Sequence, residues 1–431
     1  MQGSETIAPH PSTGEPGTFG AGRWLSVVGL GEDGLAGLPP AARAAVEAAS
    51  VVFGGARHLA LAGAAVRGEA RPWPSPFARG IEQLLALRAK GLGHGRVCVL
   101  ASGDPFLHGV GASLARHVAA EEMEVFPAPS AFSLACARLG WPLAETGCLS
   151  VHGRPLDLVR AHLHPGRRLL VLTSDGDGPA AVAALLTGSG FGGSRLTVLE
   201  ALGGPRERRR TARAEGFALA DVDPLNLVAI EVAAGPGARI IPRAPGLPDD
   251  LFEHDGQITK RQIRALTLSA LAPRRGELLW DIGAGAGSVA IEWMLADPSL
   301  TAIGIEERPD RAARARRNAD ALGVPGLQIV EGRAPEALAA LPAPDAVFIG
   351  GGAGEPGVLD AALAALKPGG RLVANAVTLE TEALLIARHG AQGGDLARLS
   401  IARAVPVGGL TGWRPAMPVT QWSWTRPGGV S

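Results

Sequence analysis

Residues 278 to 288 read Leu-Leu-Trp-Asp-Ile-Gly-Ala-Gly-Ala-Gly-Ser, an apolar run that enters a glycine-rich turn, and Ser288 opens an amphipathic stretch. The pattern predicts a buried strand, then a turn whose main chain can approach a ligand without an intervening Cβ, then a helix. A dinucleotide fingerprint requires G-x-G-x-x-G, but here the third glycine arrives one residue early and Ser288 takes its place. Asp281, inside the strand end, would repel a pyrophosphate. Glu306 closes the next predicted strand 25 residues later, where a carboxylate can accept hydrogen bonds from both hydroxyls of a ribose. A cationic, phosphate-free nucleoside suits this set, with Gly283, Ala284, Gly285, Gly287, Ser288 and Glu306 as its binding residues.

Further strand ends downstream carry matching signals. Glu331 to Ala334 supply Gly332, Arg333 and Ala334, residues 345 to 352 read DAVFIGGG and supply Gly350, and LKPGG at 366 to 370 turns into a fifth strand. This ordered set resembles the class I S-adenosylmethionine methyltransferases. The resemblance implies a Rossmann-like, mostly parallel sheet and S-adenosylmethionine as cofactor. Arg333 stands where such proteins commonly place an aspartate near the adenine amine, so that contact is not assigned.

The glycine-rich turn lies in the second half of a 431-residue chain, long enough for two or three domains. With 46% hydrophobic and 19% charged residues, each half can bury its own core. Apolar strands recur near 23–28, 51–53, 96–100, 168–173, 196–199 and 227–232, with helix-like stretches at 80–90 and 111–120. An α/β fold is expected throughout. Residues 235 to 248 read GPGARIIPRAPGLP, a Pro/Gly run that opposes both helix and sheet. The expected division is a mobile tail at 1–22, one domain at 23–234, a linker at 235–248 and a second domain at 249–431. In the latter, strands are expected at 278–282, 302–306, 327–330, 346–350 and 371–375, with short segments at 397–402 and 418–425.

Lys plus Arg and Asp plus Glu both count 41, which argues against a nucleic-acid footprint or an anionic membrane surface and points to a small-molecule partner. No apolar run is long enough to span a bilayer, and the first 22 residues lack the pattern of a secretory signal. Cys98, Cys136 and Cys148 show neither disulfide nor zinc spacing, so a reduced cytoplasm fits and no metal is expected. Oligomeric state stays open, a homo-oligomer included.

The first half contains Gly29-Leu30-Gly31-Glu32-Asp33-Gly34, a literal G-x-G-x-x-G. Its two acids would crowd a phosphate, and the second strand ends in Gly54-Gly55 with no carboxylate for a ribose. More informative are Ala101-Ser102-Gly103-Asp104-Pro105-Phe106 and Pro129-Ser130-Ala131-Phe132. These loops resemble the donor-binding segments of the tetrapyrrole methylase family, which implies a second S-adenosylmethionine site drawing on Gly29, Gly103, Asp104, Phe106, Ser130 and Ala131.

Longer stretches narrow the resemblance. VVGLGEDG (27–34), ASGDPFLHG (101–109), PAPSAFSLACARLGWP (127–142), SVHGRP (150–155) and LTSDGDGPAAVAALL (172–186) mark the first half; GLPDDLFEHDGQITKRQIRALTLSALAP (246–273), LLWDIGAGAGSVAIEW (278–293) and FIGGG (348–352) mark the second. Together they are similar to the precorrin-6Y C5,15-methyltransferase (decarboxylating) family, the CobL type, a fusion of a CbiE-like and a CbiT-like half. The resemblance implies two donor sites and a reduced tetrapyrrole substrate of cobalamin biosynthesis. It also implies methyl transfer to C5 and C15, loss of the ring C acetate as carbon dioxide, and precorrin-8 as product. In this reading the N-terminal half methylates C5, and residues from about 246 onward methylate C15 and decarboxylate.

Such a substrate carries many carboxylates, which cationic side chains at a pocket mouth could clamp. His254, Thr259, Lys260 and Arg264 precede the class I core and are the substrate-binding candidates. Arg206 and Arg208 to Arg210 are read as a solvated loop. Catalytic residues are not assigned. A nucleotide-binding oxidoreductase or a non-catalytic binder is the competing reading, and Glu306 with the GAGAGS spacing favours the methyltransferase.

Overall fold

The computed structural model describes residues 23–89 and 96–428. The expected tail at 1–22 and Lys90, at the end of an expected helix, lie outside them.

The first sheet is built from β1 (Leu25–Leu30), β2 (Ala49–Gly54), β3 (Glu69–Pro72), β4 (Arg96–Ser102) and β5 (Met123–Phe126), in the order β3-β2-β4-β1-β5. All its pairs are parallel. β1 is buried along its whole length because apolar clusters cover both faces, Trp24 and Phe53 in one and Val46 and Leu100 in the other. The helix expected at 111–120 is a short one, Val110–Leu114. Beyond Leu114 the bonds of Arg116 and His117 run to residues three back, which tightens the chain into turns.

The second sheet contains β6 (Gly147–Ser150), β7 (Arg168–Leu172), β8 (Arg195–Glu200), β9 (Arg208–Arg213) and β10 (Asn226–Glu231), ordered β6-β7-β10-β8-β9. Only the β6–β7 pair is parallel. β9 corrects the expectation of a solvated arginine loop. Alternation places Arg208 and Arg210 on one face of this edge strand, where both bind the buried carboxylate of Glu200.

Seven strands form the third sheet: β11 (Leu278–Ile282), β12 (Thr301–Glu306), β13 (Gln328–Glu331), β14 (Ala346–Ile349), β15 (Arg371–Ala376), β16 (Asp395–Leu399) and β19 (Val419–Thr425). Their order is β13-β12-β11-β14-β15-β19-β16. The first five pair in parallel and β19 runs antiparallel to both neighbours, so the sheet is open and mostly parallel. Helices Arg261–Leu271, Ser288–Ala296 and Pro309–Ala321 cover one face through Leu268, Trp293 and Ala319; Val358–Ala365 and Leu379–Gln392 cover the other through Leu359 and Leu385. A hairpin of β17 (Ala402–Val407) and β18 (Leu410–Pro415) projects between β16 and β19.

The Pro/Gly run at 235–248 has no regular structure, yet it is not a bare tether. Gly235 and Arg239 N–H groups donate to Gly190 and Ser189 carbonyls of the preceding half. Ile241 and Leu247 are buried in the core that holds Leu268 and Trp293. Gly323 adds a second contact between the halves: a Cβ there would lie 2.7 Å from Ala161 N.

Candidate active site

At the carboxyl ends of β11 to β14 lies a cleft of about 940 Å³, the place where open parallel sheets hold ligands. Its floor is the turn after β11. Gly283, Gly285 and Gly287 all have left-handed backbones, with φ of 75°, 56° and 74°, a conformation that disfavours other residues. At Gly283 a Cβ would press to 3.0 Å from Gly351 O, while one at Gly285 would meet nothing nearer than 3.9 Å and would project into open space. Gly287 then caps the helix that begins at Ser288.

Glu306 ends β12 and is buried. Its Oε2 accepts the Gly285 N–H at 2.8 Å and its Oε1 the Arg308 N–H at 3.0 Å. Each oxygen keeps a further lone pair. Asp281 Oδ2 accepts the Ala290 N–H at 3.1 Å. Burial pushes the Asp281 carboxyl up to about 7, and the Glu306 charge adds to the rise. The Glu306 carboxylate, with Asp281 able to ionise beside it, suits a cation better than a phosphate at this glycine main chain, so the residues present fit the sulfonium nucleoside expected here.

The walls come from Gly332 to Ala334 after β13 and from Gly350 after β14. Arg333 is exposed and pairs with Glu355 at 2.5 Å across the mouth. Of the substrate candidates, Thr259 and Lys260 line the cleft. Lys260 Nζ donates to Gly256 O at 3.2 Å. The loop carrying them is anchored by Asp255, which binds Arg311 at 2.9 Å and Arg314 at 3.3 Å. The Gln257 N–H and then Arg311 hold the Asp255 carboxyl down to about 2. His254 is exposed outside the cleft and its Nδ1 accepts the Gly256 N–H at 3.0 Å.

Arg264 corrects the sequence reading. It is wholly buried and cannot meet substrate: it binds Glu292, Asp249 at 3.0 Å, and the carbonyls of Leu247 and Thr259, with its guanidinium over the Phe252 ring. Glu292 in turn accepts N–H groups from Gly246 at 2.6 Å and Leu247 at 2.9 Å. Arg264 and Glu292 therefore lock the 246–260 segment onto the helix that follows the glycine turn.

Sequence reasoning missed the hairpin side of the cleft, where Arg403 and Met417 stand, and Asn375 at the end of β15. Asn375, Thr267 and Gln421 form a buried hydrogen-bonded trio. An asparagine inside the otherwise apolar stretch LVANA was the available signal; the hairpin offered none.

In the N-terminal half the structure brings the candidate loops together at the carboxyl ends of β1, β4 and β5. Gly103 N–H donates to Leu30 O and Gly103 O accepts from Ala128 N. A Cβ on Gly29 would lie 1.9 Å from Gly103 O, and one on Gly103 2.9 Å from Pro129 O, so these two glycines permit loop-to-loop packing. Ser130 caps the helix Ala131–Leu139 by accepting the Ser133 N–H at 3.1 Å. Asp104 Oδ1 accepts the Phe106 N–H at 2.9 Å, fixing a turn that leaves Phe106 exposed. Glu32 in the G-x-G-x-x-G stretch is bound by Arg57.

Two family models match the chain: tetrapyrrole (corrin/porphyrin) methylases over residues 24–218, and the precorrin methyltransferase domain over residues 250–426. A Sinorhizobium sp protein named precorrin-6Y C(5,15)-methyltransferase (decarboxylating) is 62% identical over 403 residues, covering 94% of this chain and 96% of the relative. A Mycobacterium tuberculosis (strain CDC 1551 / Oshkosh) protein of the same name is 43% identical over 408 residues, covering 93% and 100%. The crystal structure of the C-terminal domain of precorrin-6Y C5,15-methyltransferase from Rhodobacter capsulatus is 53% identical, with a TM-score of 0.41, and covers 43% of this chain and all of its own. Fold, cleft and family models define a methyltransferase made of two unlike α/β halves. The chain belongs to the precorrin-6Y C5,15-methyltransferase (decarboxylating) family. Among the described residues no helix is long and apolar enough to cross a membrane.

Proposed function

We propose that the chain carries two S-adenosylmethionine sites, and that the cleft over β11 to β14 methylates C15 of a precorrin and releases the ring C acetate as carbon dioxide. The N-terminal loops at Gly29, Gly103 to Phe106 and Ser130 to Ala131 hold the donor for C5. As a family member the chain is a decarboxylating C5,15-methyltransferase of cobalamin biosynthesis, acting on a tetrapyrrole with S-adenosylmethionine; precorrin-8 is the product this assignment gives.

Bound S-adenosylmethionine supplies an electrophilic methyl whose sulfur leaves as a neutral thioether. The chain's own task is placement. Glu306 has lone pairs for the ribose hydroxyls, and Gly285 keeps the space beside them clear. Asp281, facing the same cleft, favours a cation there once it is ionised. The Gly256 to Lys260 segment and Met417 line the cleft, and filling it with donor and substrate would displace water and strengthen the charge interactions inside. Lys260 is the cation placed to meet a substrate carboxylate. Methyl transfer leaves the ring electron-poor, so the ring itself can receive the acetate's electrons, and positioning dominates over acid or base chemistry.

The hydrogen bond between Gly285 and Glu306 carries this reading, because it sets a carboxylate at the ribose position of an open glycine-lined cleft. Incubating the protein with S-adenosylmethionine and the reduced precorrin should give a product heavier by two methyl groups and lighter by one carbon dioxide. A product with methyls added and no carbon dioxide lost would refute the assignment of the C-terminal cleft.

A further inference from the structure

The N-terminal half holds a polar cluster with no role in the scheme above. Ser102 closes β4 opposite Leu30 of β1, and its exposed side chain stands one residue before Gly103. Its Oγ lies 2.8 Å from His58 Nε2 and accepts a hydrogen bond from Arg57 Nη2 at 2.9 Å. The same Nη2 lies 3.0 Å from His58 Nε2. A guanidinium has only donors, so the Nε2 that faces it presents a lone pair and the imidazole proton sits on Nδ1. Nδ1 is buried, with no protein partner among the described residues.

Neighbouring charges fix this arrangement. Arg57 is bound by Glu32 from the turn after β1. Arg206, from the loop after β8, reaches Glu32 at 3.9 Å while pairing with Asp223. Both arginines are thus committed to carboxylates and are poorly placed to clamp a substrate. Burial, and then the Arg57 charge, push the His58 imidazole down to about 4, so it stays neutral at neutral pH.

Stoichiometry says what such a group could do. When a methyl from a sulfonium replaces a ring hydrogen, charge balances only if a proton is released. Where decarboxylation accompanies methylation, loss of carbon dioxide supplies the electron pair instead. A site that methylates without decarboxylating must pass its proton to an acceptor. We propose that Ser102 and His58 are that acceptor for the N-terminal site, with Arg57 as the positioning residue that keeps His58 Nε2 bare. The inference rests on the reading that this half methylates C5.

The step balances. The ring carbon bonds to the methyl as the carbon–sulfur bond breaks and its electron pair goes to sulfur. The C–H bond at that carbon then breaks and its pair returns to the conjugated ring. Its proton passes to the Ser102 oxygen, and the Ser102 hydroxyl proton passes to His58 Nε2.

Two measurements on the full chain test this. Imidazole nitrogen NMR at pH 7 should show His58 neutral, protonated at Nδ1 and bare at Nε2; a proton on Nε2 overturns the proposal without any turnover. In the second, His58→Gln and Ser102→Ala should each slow C5 methylation by about 10²- to 10⁴-fold. Donor stoichiometry by calorimetry, melting temperature, C15 methylation and carbon dioxide release should be unchanged. Deuterium at C5 should slow the variants more than wild type, a response that loss of packing would not produce. Ser102→Ala, at an exposed position, serves if His58→Gln folds poorly. Gly103→Val separates the two claims. If it abolishes C5 methylation while both variants keep the wild-type C5 rate, the proton acceptor is refuted and the site reading stands. If Gly103→Val leaves C5 methylation intact in a folded protein, the site reading falls and takes the acceptor with it.

Discussion

Gly285 donates its backbone N–H to Glu306 Oε2 at 2.8 Å, so the turn that would face the donor's methionine end and the acid that would hold its ribose are one hydrogen-bonded unit. Replacing Glu306 therefore disturbs both at once.

Glu306→Ala should weaken donor binding in the C-terminal cleft roughly ten- to hundredfold, since hydrogen bonds to charged groups contribute about 1.5 to 3 kcal/mol. Calorimetry should show two sites in the wild type and one tight site in the variant. With limiting S-adenosylmethionine the variant should still add one methyl while releasing little labelled carbon dioxide. Glu306→Gln, which keeps an oxygen for Gly285, should lose less.

The Asp281 carboxyl is raised from its ordinary 3.8 to about 7, so the folded protein holds this proton over a range where the unfolded chain has released it. Its contribution to stability is full below about 4 and is lost as pH rises through about 7. A cationic donor reverses the preference by favouring the ionised acid. Donor binding at the C-terminal cleft should strengthen from pH 6 to pH 8 and should release protons, read as a buffer-dependent calorimetric enthalpy. Asp281→Asn should flatten that dependence; an unchanged slope would show that another group titrates.

Arg264→Ala should cost about 3 to 5 kcal/mol, because it strands the buried Glu292 charge. Denaturant melts measure this directly. Arg264→Met combined with Glu292→Gln should recover part of the loss, since the buried Glu292 charge is then gone and only the partly exposed Asp249 loses its partner. Single and double variants of equal stability would show that the pair is not coupled.

Because the 235–248 run is bound at both ends, the place of a cut matters. Cleavage after Arg239 leaves the Ser189 and Gly190 contacts with the first fragment and the buried Ile241 and Leu247 with the second. Each fragment should then melt cooperatively on its own. Cutting after Pro248 should destabilise the C-terminal piece, which would lose Ile241, Leu247 and the Gly246 and Leu247 N–H groups that bind Glu292.

The third sheet was legible in the sequence because β11 to β14 are apolar runs stopped by glycine or acid, and the same punctuation marks the cleft. β9 was not, since RRRTAR has the composition of a solvated loop; only its register against Glu200 reveals that Arg208 and Arg210 alternate onto one face. Arg264 looked like a clamp for the same reason. A sequence shows that a residue is cationic and near a site, but the carboxylates that claim it, Asp249 and Glu292, lie 15 and 28 positions away. Glu306 escaped this ambiguity, because a strand end fixes which way it faces.

The turn after β11 is also closed to evolutionary drift at every step, for two alternating reasons. Positions 283, 285 and 287 exclude side chains through backbone conformation, whereas Ala284 and Ala286, only 8% and 3% exposed, exclude larger ones through lack of volume. A saturation library across 283 to 287 should therefore return almost no neutral alleles. Its rejected variants should fall into two kinds: strained loops in otherwise intact proteins from the glycine positions, and disordered cores from the alanines.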